Sequence, residues 1–126
     1  MNIPADLHFT PDHEWIRVEG KTAVVGITDF AQGELGDIVF VEIETLGTHL
    51  EKGITFGTIE AVKTVSDLFM PVTGKVTEVN GSVNDTPDII NKDPYGKGWL
   101  IRIEMDDPAS VGDLMDATAY KAMLNS

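Results

Sequence analysis

The sequence GTIEAVKTVSDLFMPVTG occupies residues 57–74 and contains the most informative pattern in the chain. Apolar, strand-compatible residues lie on both sides of Lys63, with Gly53 about ten residues before it and Gly74 about as far after it. Two such runs, bounded by glycines and joined by a short link, predict a β-hairpin. The sequence therefore predicts two strands with Lys63 at the tip, where its charge stands on a flexible stem in solvent.

Lys63 has two interpretations on the residues alone. A lysine on a tight turn is usually a solubilising charge, because lysine is mostly exposed in folded proteins. Here, however, its neighbours are small or β-branched, and the chain contains no cysteine. Redox or acyl-carrier chemistry would then need an imported group, for which a protruding amine is a suitable attachment point.

The hairpin resembles the lipoylation hairpin of the glycine cleavage system H proteins. The similarity is carried by EAVKTVSD at residues 60–67 and PVTG at residues 71–74. Further segments resemble the landmarks of this family in the family's order: HEW at 13–15, GITD at 26–29, LGD at 35–37, VFVE at 39–42 and DPYGKGW at 93–99. The chain differs from many members at Ala61, at Thr64 and at Phe69 with Met70, whereas Lys63 itself is intact.

The fold is expected to be mostly β. A chain of 126 residues is long enough for one domain with one core. Short strands at regular spacing, turns marked by glycine and a closing helix favour this class. The family resemblance implies more: a lipoyl-domain-like barrel-sandwich hybrid with short helices, forming a single lipoyl-carrier domain over residues 1–126. Its lipoyl hairpin is expected at about 57–74 and its C-terminal helix at about 116–124.

Three local signals predict where helices begin. Asp29 is expected to cap a short helix, with Gln32 as its capping-box partner. Thr86 is expected to cap one or two helical turns, because a proline and an acidic residue follow it. Asp116 is expected to cap the last helix. Outside the hairpin, strands are expected at residues 13–18, 22–27, 38–44, 75–79 and 99–104.

The charge balance limits the partners. The chain has 9 basic and 21 acidic residues, and its net charge is −12. The negative electrostatic field of this chain repels phosphate backbones and anionic lipid. Neither nucleic acid nor a membrane is therefore an expected partner. It favours basic docking surfaces, or simply keeps the protein in solution. The first residues lack the features of a signal peptide, which suggests the cytoplasm of a bacterium. The alternative location is the mitochondrial matrix, for a mature chain from which a targeting segment has been removed.

The residues do not indicate a metal site, a phosphate site or a catalytic triad. The three histidines, His8, His13 and His49, lack the spacing of metal ligands, so no metal site is expected. The glycine-rich turn at 96–98 precedes a predicted strand, whereas a phosphate cradle uses a helix N-terminus. No serine can be assigned to a catalytic triad, so no catalytic residue is proposed.

The resemblance implies a non-catalytic carrier with lipoic acid covalently attached to Lys63. It also implies that Glu60, Val62, Thr64 and Asp67 form the hairpin context for a lipoyl or octanoyl transferase, or for a lipoate ligase. The loaded arm would receive an aminomethyl group from a PLP-dependent glycine decarboxylase and pass it to an aminomethyltransferase. A dihydrolipoyl dehydrogenase would then reoxidise the arm.

Three alternatives and one further site complete the predictions. An H-like protein of this kind would instead relay octanoyl or lipoyl groups to other lipoyl proteins. A Schiff-base enzyme would need a strongly lowered pKa at Lys63, which its acidic neighbours oppose. A biotinylated lysine usually lies between two methionines, unlike this one. Finally, Glu14 and Asp67 would hydrogen-bond a protonated amine on the loaded arm, if the fold brings them near it. Otherwise they are ordinary surface acids.

Overall fold

The computed structural model describes residues 2–125, which form two antiparallel sheets and several short helices. The strands are β1 His8–Phe9, β2 Glu14–Glu19, β3 Thr22–Ile27, β4 Ile38–Glu42, β5 His49–Leu50, β6 Thr55–Ala61, β7 Val65–Phe69, β8 Gly74–Val79 and β9 Ile101–Met105. The α-helices are α1 Asp29–Leu35, α2 Ser82–Asp85, α3 Ile89–Lys92 and α4 Ala117–Leu124, and a 3-10 helix spans Pro108–Asp113. The prediction of a mostly β chain with short helices is confirmed.

The two sheets differ in size. The large sheet has the strand order β1-β2-β3-β9-β8-β5, and the small sheet has the order β4-β6-β7. The strands β6 and β7 are the predicted hairpin, and β7 is an edge strand of the small sheet. The N–H and C=O groups on its outer side are therefore available for hydrogen bonds to other parts of the chain.

The central core lies between the two sheets. Every second residue of a strand faces the same side, so each sheet contributes an alternating set of apolar side chains. Ile16, Val25 and Ile103 come from the large sheet, and Val41 and Ile59 come from the small sheet; all are buried in one cluster.

A second cluster covers the opposite face of the large sheet. Trp15 faces this side, because it is adjacent to Ile16 on the same strand. The helix α4 supplies Tyr120, whose ring stacks on that of Phe9 with 4.7 Å between centroids. Asp116 caps this helix, as predicted, and its carboxylate accepts a hydrogen bond from the N–H of Ala119 at 2.8 Å. None of the helices within residues 2–125 is long and apolar enough to cross a membrane.

The predicted cap of α1 is wrong by one residue. Thr28 has an extended backbone, and its hydroxyl accepts a hydrogen bond from the N–H of Ala31, so Thr28 is the N-cap. Asp29 is the first helical residue, and its carboxylate instead accepts hydrogen bonds from the N–H of Asn2 and the side chain of Gln32. Threonine and aspartate are both good caps, so the sequence alone did not distinguish them.

The region after β8 also differs from the prediction. Thr86 does not cap a helix; it ends α2, which was not predicted, and α3 begins later with no side-chain cap. The side chain of Asn80 explains the change. It donates to the carbonyl oxygens of Lys97 and Trp99 and accepts from the N–H of Ser82, so the chain turns into a helix at this point.

Candidate functional site: the Lys63 turn and an acid-lined cavity

Lys63 is exposed in the turn that connects β6 and β7. The N–H of Ala61 donates to the carbonyl oxygen of Thr64 at 2.8 Å, which closes the turn. A second hydrogen bond joins the N–H of Val62 to the carbonyl oxygen of Asp37 at 3.1 Å and holds the turn against the start of β4. The base of the turn is therefore fixed, while the lysine side chain extends into solvent. No residue between 2 and 125 forms an ion pair with it.

An acid-lined cavity of about 290 Å³ lies beside β7. It separates α1 from the edge of the small sheet, and Ile59 and Leu68 contribute to its apolar floor. Its polar lining consists of Asp12, His13, Glu14, Glu34, Ser66 and Asp67. The fold therefore brings Glu14 and Asp67 to one cavity, whereas Glu60, Val62 and Thr64 are exposed around the turn and do not line it.

The cavity is within reach of a group attached to Lys63. Asp67 lies on β7, four residues beyond the lysine, which corresponds to about 13 Å along an extended strand. A lysine side chain lengthened by an acyl chain spans a distance of this order. The turn and the cavity therefore form one candidate site.

Glu14 is the most unusual residue of the site, because it is an acidic residue that is only 2% exposed. One oxygen accepts a hydrogen bond from the N–H of Phe69 at 3.0 Å, and the other accepts one from the hydroxyl of Thr10 at 2.9 Å. Phe69 belongs to β7, so this carboxyl group links the large sheet to the edge of the small sheet. Burial raises the pKa of Glu14 to about 7, although both hydrogen bonds act in the opposite direction.

His13 precedes β2 in the left-handed region, with φ at 67°, and this conformation places its ring in the cavity wall. The ring packs on Phe30 with 4.7 Å between centroids. Its Nδ1 atom lies 2.8 Å from the hydroxyl of Tyr120, which is also 2.8 Å from the hydroxyl of Thr28. Burial lowers the pKa of His13, so the neutral ring predominates near pH 7.

The electrostatics of the cavity favour a cation. Its described lining includes four carboxyl groups but neither lysine nor arginine, and its one histidine is held towards the neutral form. A hydrogen bond between a carboxylate and an ammonium group is among the stronger ones that a protein makes. The geometry is thus suited to a small protonated amine above an apolar floor.

The sequence did not identify several residues of this site. The Pro11-Asp12 turn in front of β2 is a local signal that places His13 at the start of a strand, but it indicates no role for the histidine. Glu34 and Phe30 come from α1, and Tyr120 comes from a helix 107 residues away from His13. No local pattern connects residues at such separations, so only the packed structure assembles them.

The histidines form no metal site in the part of the chain that the structure describes, where no group of three or more suitable ligands occurs. His49 instead lies in an exposed pair with Asp106, with 2.7 Å between Nε2 and the carboxylate oxygen.

Two antiparallel sheets that enclose a core, with a lysine at the tip of a hairpin, define a lipoyl-domain-like fold. The family model described as "Glycine cleavage H-protein" matches residues 7–126. The chain belongs to this family, which is the lipoyl carrier of the glycine cleavage system.

Individual relatives support the same assignment. The glycine cleavage system H protein of Bacteroides thetaiotaomicron is 58% identical over 125 residues, which cover 99% of each chain. That of Chlorobium limicola is also 58% identical, over 126 residues and 98% of each chain. The crystal structure of a glycine cleavage system H protein from Mycobacterium marinum has a TM-score of 0.89 at 39% identity, with 98% of this chain and 100% of that chain covered. These comparisons do not favour the relay alternative.

Proposed function

We propose that this chain is a non-catalytic carrier and that Lys63 holds lipoic acid in amide linkage. The observation that carries the proposal is the exposed lysine on a turn whose base is fixed by hydrogen bonds. Glu60, Val62, Thr64 and Asp67 surround that lysine as the hairpin context for a lipoyl or octanoyl transferase, or for a lipoate ligase. All four are exposed, which suits contact with such an enzyme.

The attached group would supply a dithiolane that takes up and releases an aminomethyl unit. The proposed partners are a PLP-dependent glycine decarboxylase, an aminomethyltransferase and a dihydrolipoyl dehydrogenase. The chain itself contributes presentation, because a tether on a rigid turn raises the effective concentration of the reactive group at each partner. The exposed lysine also opposes a Schiff-base enzyme, which needs a buried amine or a neighbouring cation.

The acid-lined cavity is proposed as the resting place of the loaded arm. Its apolar floor suits the hydrocarbon part of the arm, and Glu14 with Asp67 suits the protonated amine at its end. Glu14 is buried, and its pKa of about 7 is close to neutral pH. An arriving cation would therefore favour its ionised form. The amine would then be held away from bulk water.

The resting place can be tested by replacing its acids. In Glu14→Gln we expect the loaded arm to lose its aminomethyl unit about tenfold faster, since a charge-assisted bond contributes about 1.5 kcal/mol. Asp67→Asn is expected to act in the same direction. The measurement is the decay of the loaded mass by mass spectrometry in the absence of any partner enzyme.

Glu51→Gln is the matched control for this test, because Glu51 is exposed and does not line the cavity. An unchanged lifetime in both cavity variants would contradict the resting place. It would leave the carrier function itself unaffected, because the lifetime is measured on protein that already carries the loaded arm.

The carrier function is tested by intact mass and peptide mapping of the chain purified from its native host. We expect a lipoyl increment on Lys63. An octanoyl increment would indicate incomplete sulfur insertion or a relay. A bare Lys63, in cells that lipoylate other proteins, would contradict the carrier proposal.

Organisation and location are proposed along with the function. We propose a single lipoyl-carrier domain over residues 1–126, with the lipoyl hairpin at about 57–74 and the C-terminal helix at about 116–124. The family match over residues 7–126 supports this extent. The relatives named above come from bacteria, which supports a cytoplasmic location in a bacterium.

A further inference from the structure

The small sheet exposes a row of apolar side chains beside the Lys63 turn. Phe40 of β4 pairs with Glu60 of β6, and Glu60 pairs with Val65 of β7, so the three residues lie in one line across the sheet. Phe40 is 50% exposed and Val65 is 61% exposed. Val62, at the turn itself, is also exposed. This line runs along the end of the sheet that carries Lys63.

A β-bulge enlarges this apolar surface. Ile38 pairs with Ala61 and Phe40 pairs with the adjacent Glu60, so Val39 is an extra residue in β4. In a regular strand consecutive residues face opposite sides, and one of Val39 and Phe40 would face the core. With the bulge both are exposed, while Ile38 is buried. Bulges redirect side chains and are functional features rather than defects. We call Val39, Phe40, Val62 and Val65 the outer patch.

The outer patch is bordered by acids. Glu42 pairs with Thr58 in the next row on this face, so its carboxylate lies beside the patch. Glu60 lies within the apolar row itself. The strands β4, β6 and β7 contain no lysine or arginine. A surface that is complementary to this face therefore combines apolar groups, opposite Phe40 and Val65, with basic groups, opposite Glu42 and Glu60.

We propose that the outer patch is the docking surface for the enzyme that acylates Lys63, and that this enzyme presents an apolar pocket bordered by lysine and arginine. The inference rests on the proposed attachment at Lys63. An enzyme that acylates the lysine must bring its active site to Nζ, and its surface then meets the residues beside the turn. The enzymes that act at the far end of the attached arm have no such requirement.

The chemistry of this step explains why close docking is needed. The neutral Nζ attacks the carbonyl carbon of an acyl adenylate or an acyl thioester. The new C–N bond forms, the bond to AMP or to the carrier thiol breaks, and one proton from Nζ passes to solvent. The lysine must be oriented at the carbonyl carbon, and contacts on the rigid sheet provide that orientation.

A second copy of the chain is a less suitable occupant. Joining two outer patches would place Glu42 and Glu60 of one copy near the same acids of the other. Like charges across an interface are unfavourable, whereas a basic rim on a different protein is attracted.

The test measures acylation of the full-length apo-protein by a lipoate ligase supplied with ATP and lipoic acid. For Phe40→Ser we expect KM for the apo-protein to rise about tenfold with kcat within about twofold, as for the loss of an interface anchor. Phe40→Leu is expected to keep most of the affinity. In the wild type, KM should rise with salt, because screening weakens the attraction between the acids and a basic rim.

Leu46→Ser is the matched control, since Leu46 is 61% exposed but lies beyond the other end of β4. It should leave KM unchanged. Val65→Thr nearly preserves shape and should raise KM by itself, so the test does not depend on the folding of Phe40→Ser. Once lipoylated by prolonged incubation, all variants should support glycine cleavage at the wild-type rate.

The docking proposal would be overturned if Phe40→Ser and Val65→Thr kept the wild-type KM, or if Leu46→Ser raised KM as much as they do. It would also be overturned if the wild type sedimented as a dimer and Phe40→Ser sedimented as a monomer. Equal losses in glycine cleavage by lipoylated variants would also overturn it, since the patch would then serve the other partners. If the wild type is not acylated at Lys63 at all, the proposed function itself fails, which is a distinct result.

Discussion

Replacing Lys63 with arginine should abolish carrier activity and leave the fold intact. The side chain is exposed and forms no ion pair within the described chain, so its replacement removes no packing. Arginine keeps the positive charge, but its guanidinium stays protonated and cannot be acylated in place of an amine. We expect no lipoyl mass on the variant, and glycine cleavage at the level measured without the chain.

The matched control for this experiment is Lys75→Arg. Lys75 is an exposed lysine on β8, in the other sheet. This substitution therefore makes the same lysine-to-arginine change at a different place. It should be lipoylated and active like the wild type. Lipoylation of Lys63→Arg at another lysine, with activity retained, would show that Lys63 is not the attachment point.

Replacing Glu14 with glutamine should stabilise the protein at neutral and alkaline pH. The folded-state pKa of Glu14 is raised from 4.5 to about 7 by burial, so the folded chain holds a proton that the unfolded chain has released. Stability contributed by this group is therefore complete below pH 4.5 and is lost as the pH rises to about 7. The loss amounts to about 3 kcal/mol, from 1.36 kcal/mol for each pH unit.

Glutamine has no such ionisation and still offers one oxygen to the N–H of Phe69. The free energy of unfolding, measured with urea from pH 4 to pH 8, should therefore diverge between the two proteins, with Glu14→Gln the more stable above pH 7. Glu42→Gln, at an exposed position, should follow the wild-type curve. Parallel curves for Glu14→Gln and the wild type would show that Glu14 ionises normally in the folded chain.

The same experiment connects stability to the proposed function. A protonated amine in the cavity would favour the carboxylate of Glu14 and lower its pKa. The free energy of unfolding of the loaded protein should then change less with pH than that of the unloaded protein. The instability of the empty site at neutral pH is, in this view, relieved when the arm returns loaded.

The main elements of the fold follow from local patterns. Alternating apolar residues and glycine-marked turns predicted the hairpin of β6 and β7, the mostly β class and an exposed Lys63. These features depend on residues that are neighbours in the chain, so they can be read without the structure. The errors, such as Asp29 in place of Thr28 as a cap, arose where two adjacent residues had similar local preferences.

The sequence by itself determined the hairpin, the position of Lys63 and the excess of acids. Only the tertiary structure decided that Glu14 is buried against β7, that Asp67 shares its cavity, and that Tyr120 reaches His13 from the last helix. It also decided that a bulge exposes Phe40. The reason is physical: burial, strand register and contacts between distant residues are set by how the two sheets pack, and no local pattern specifies that packing.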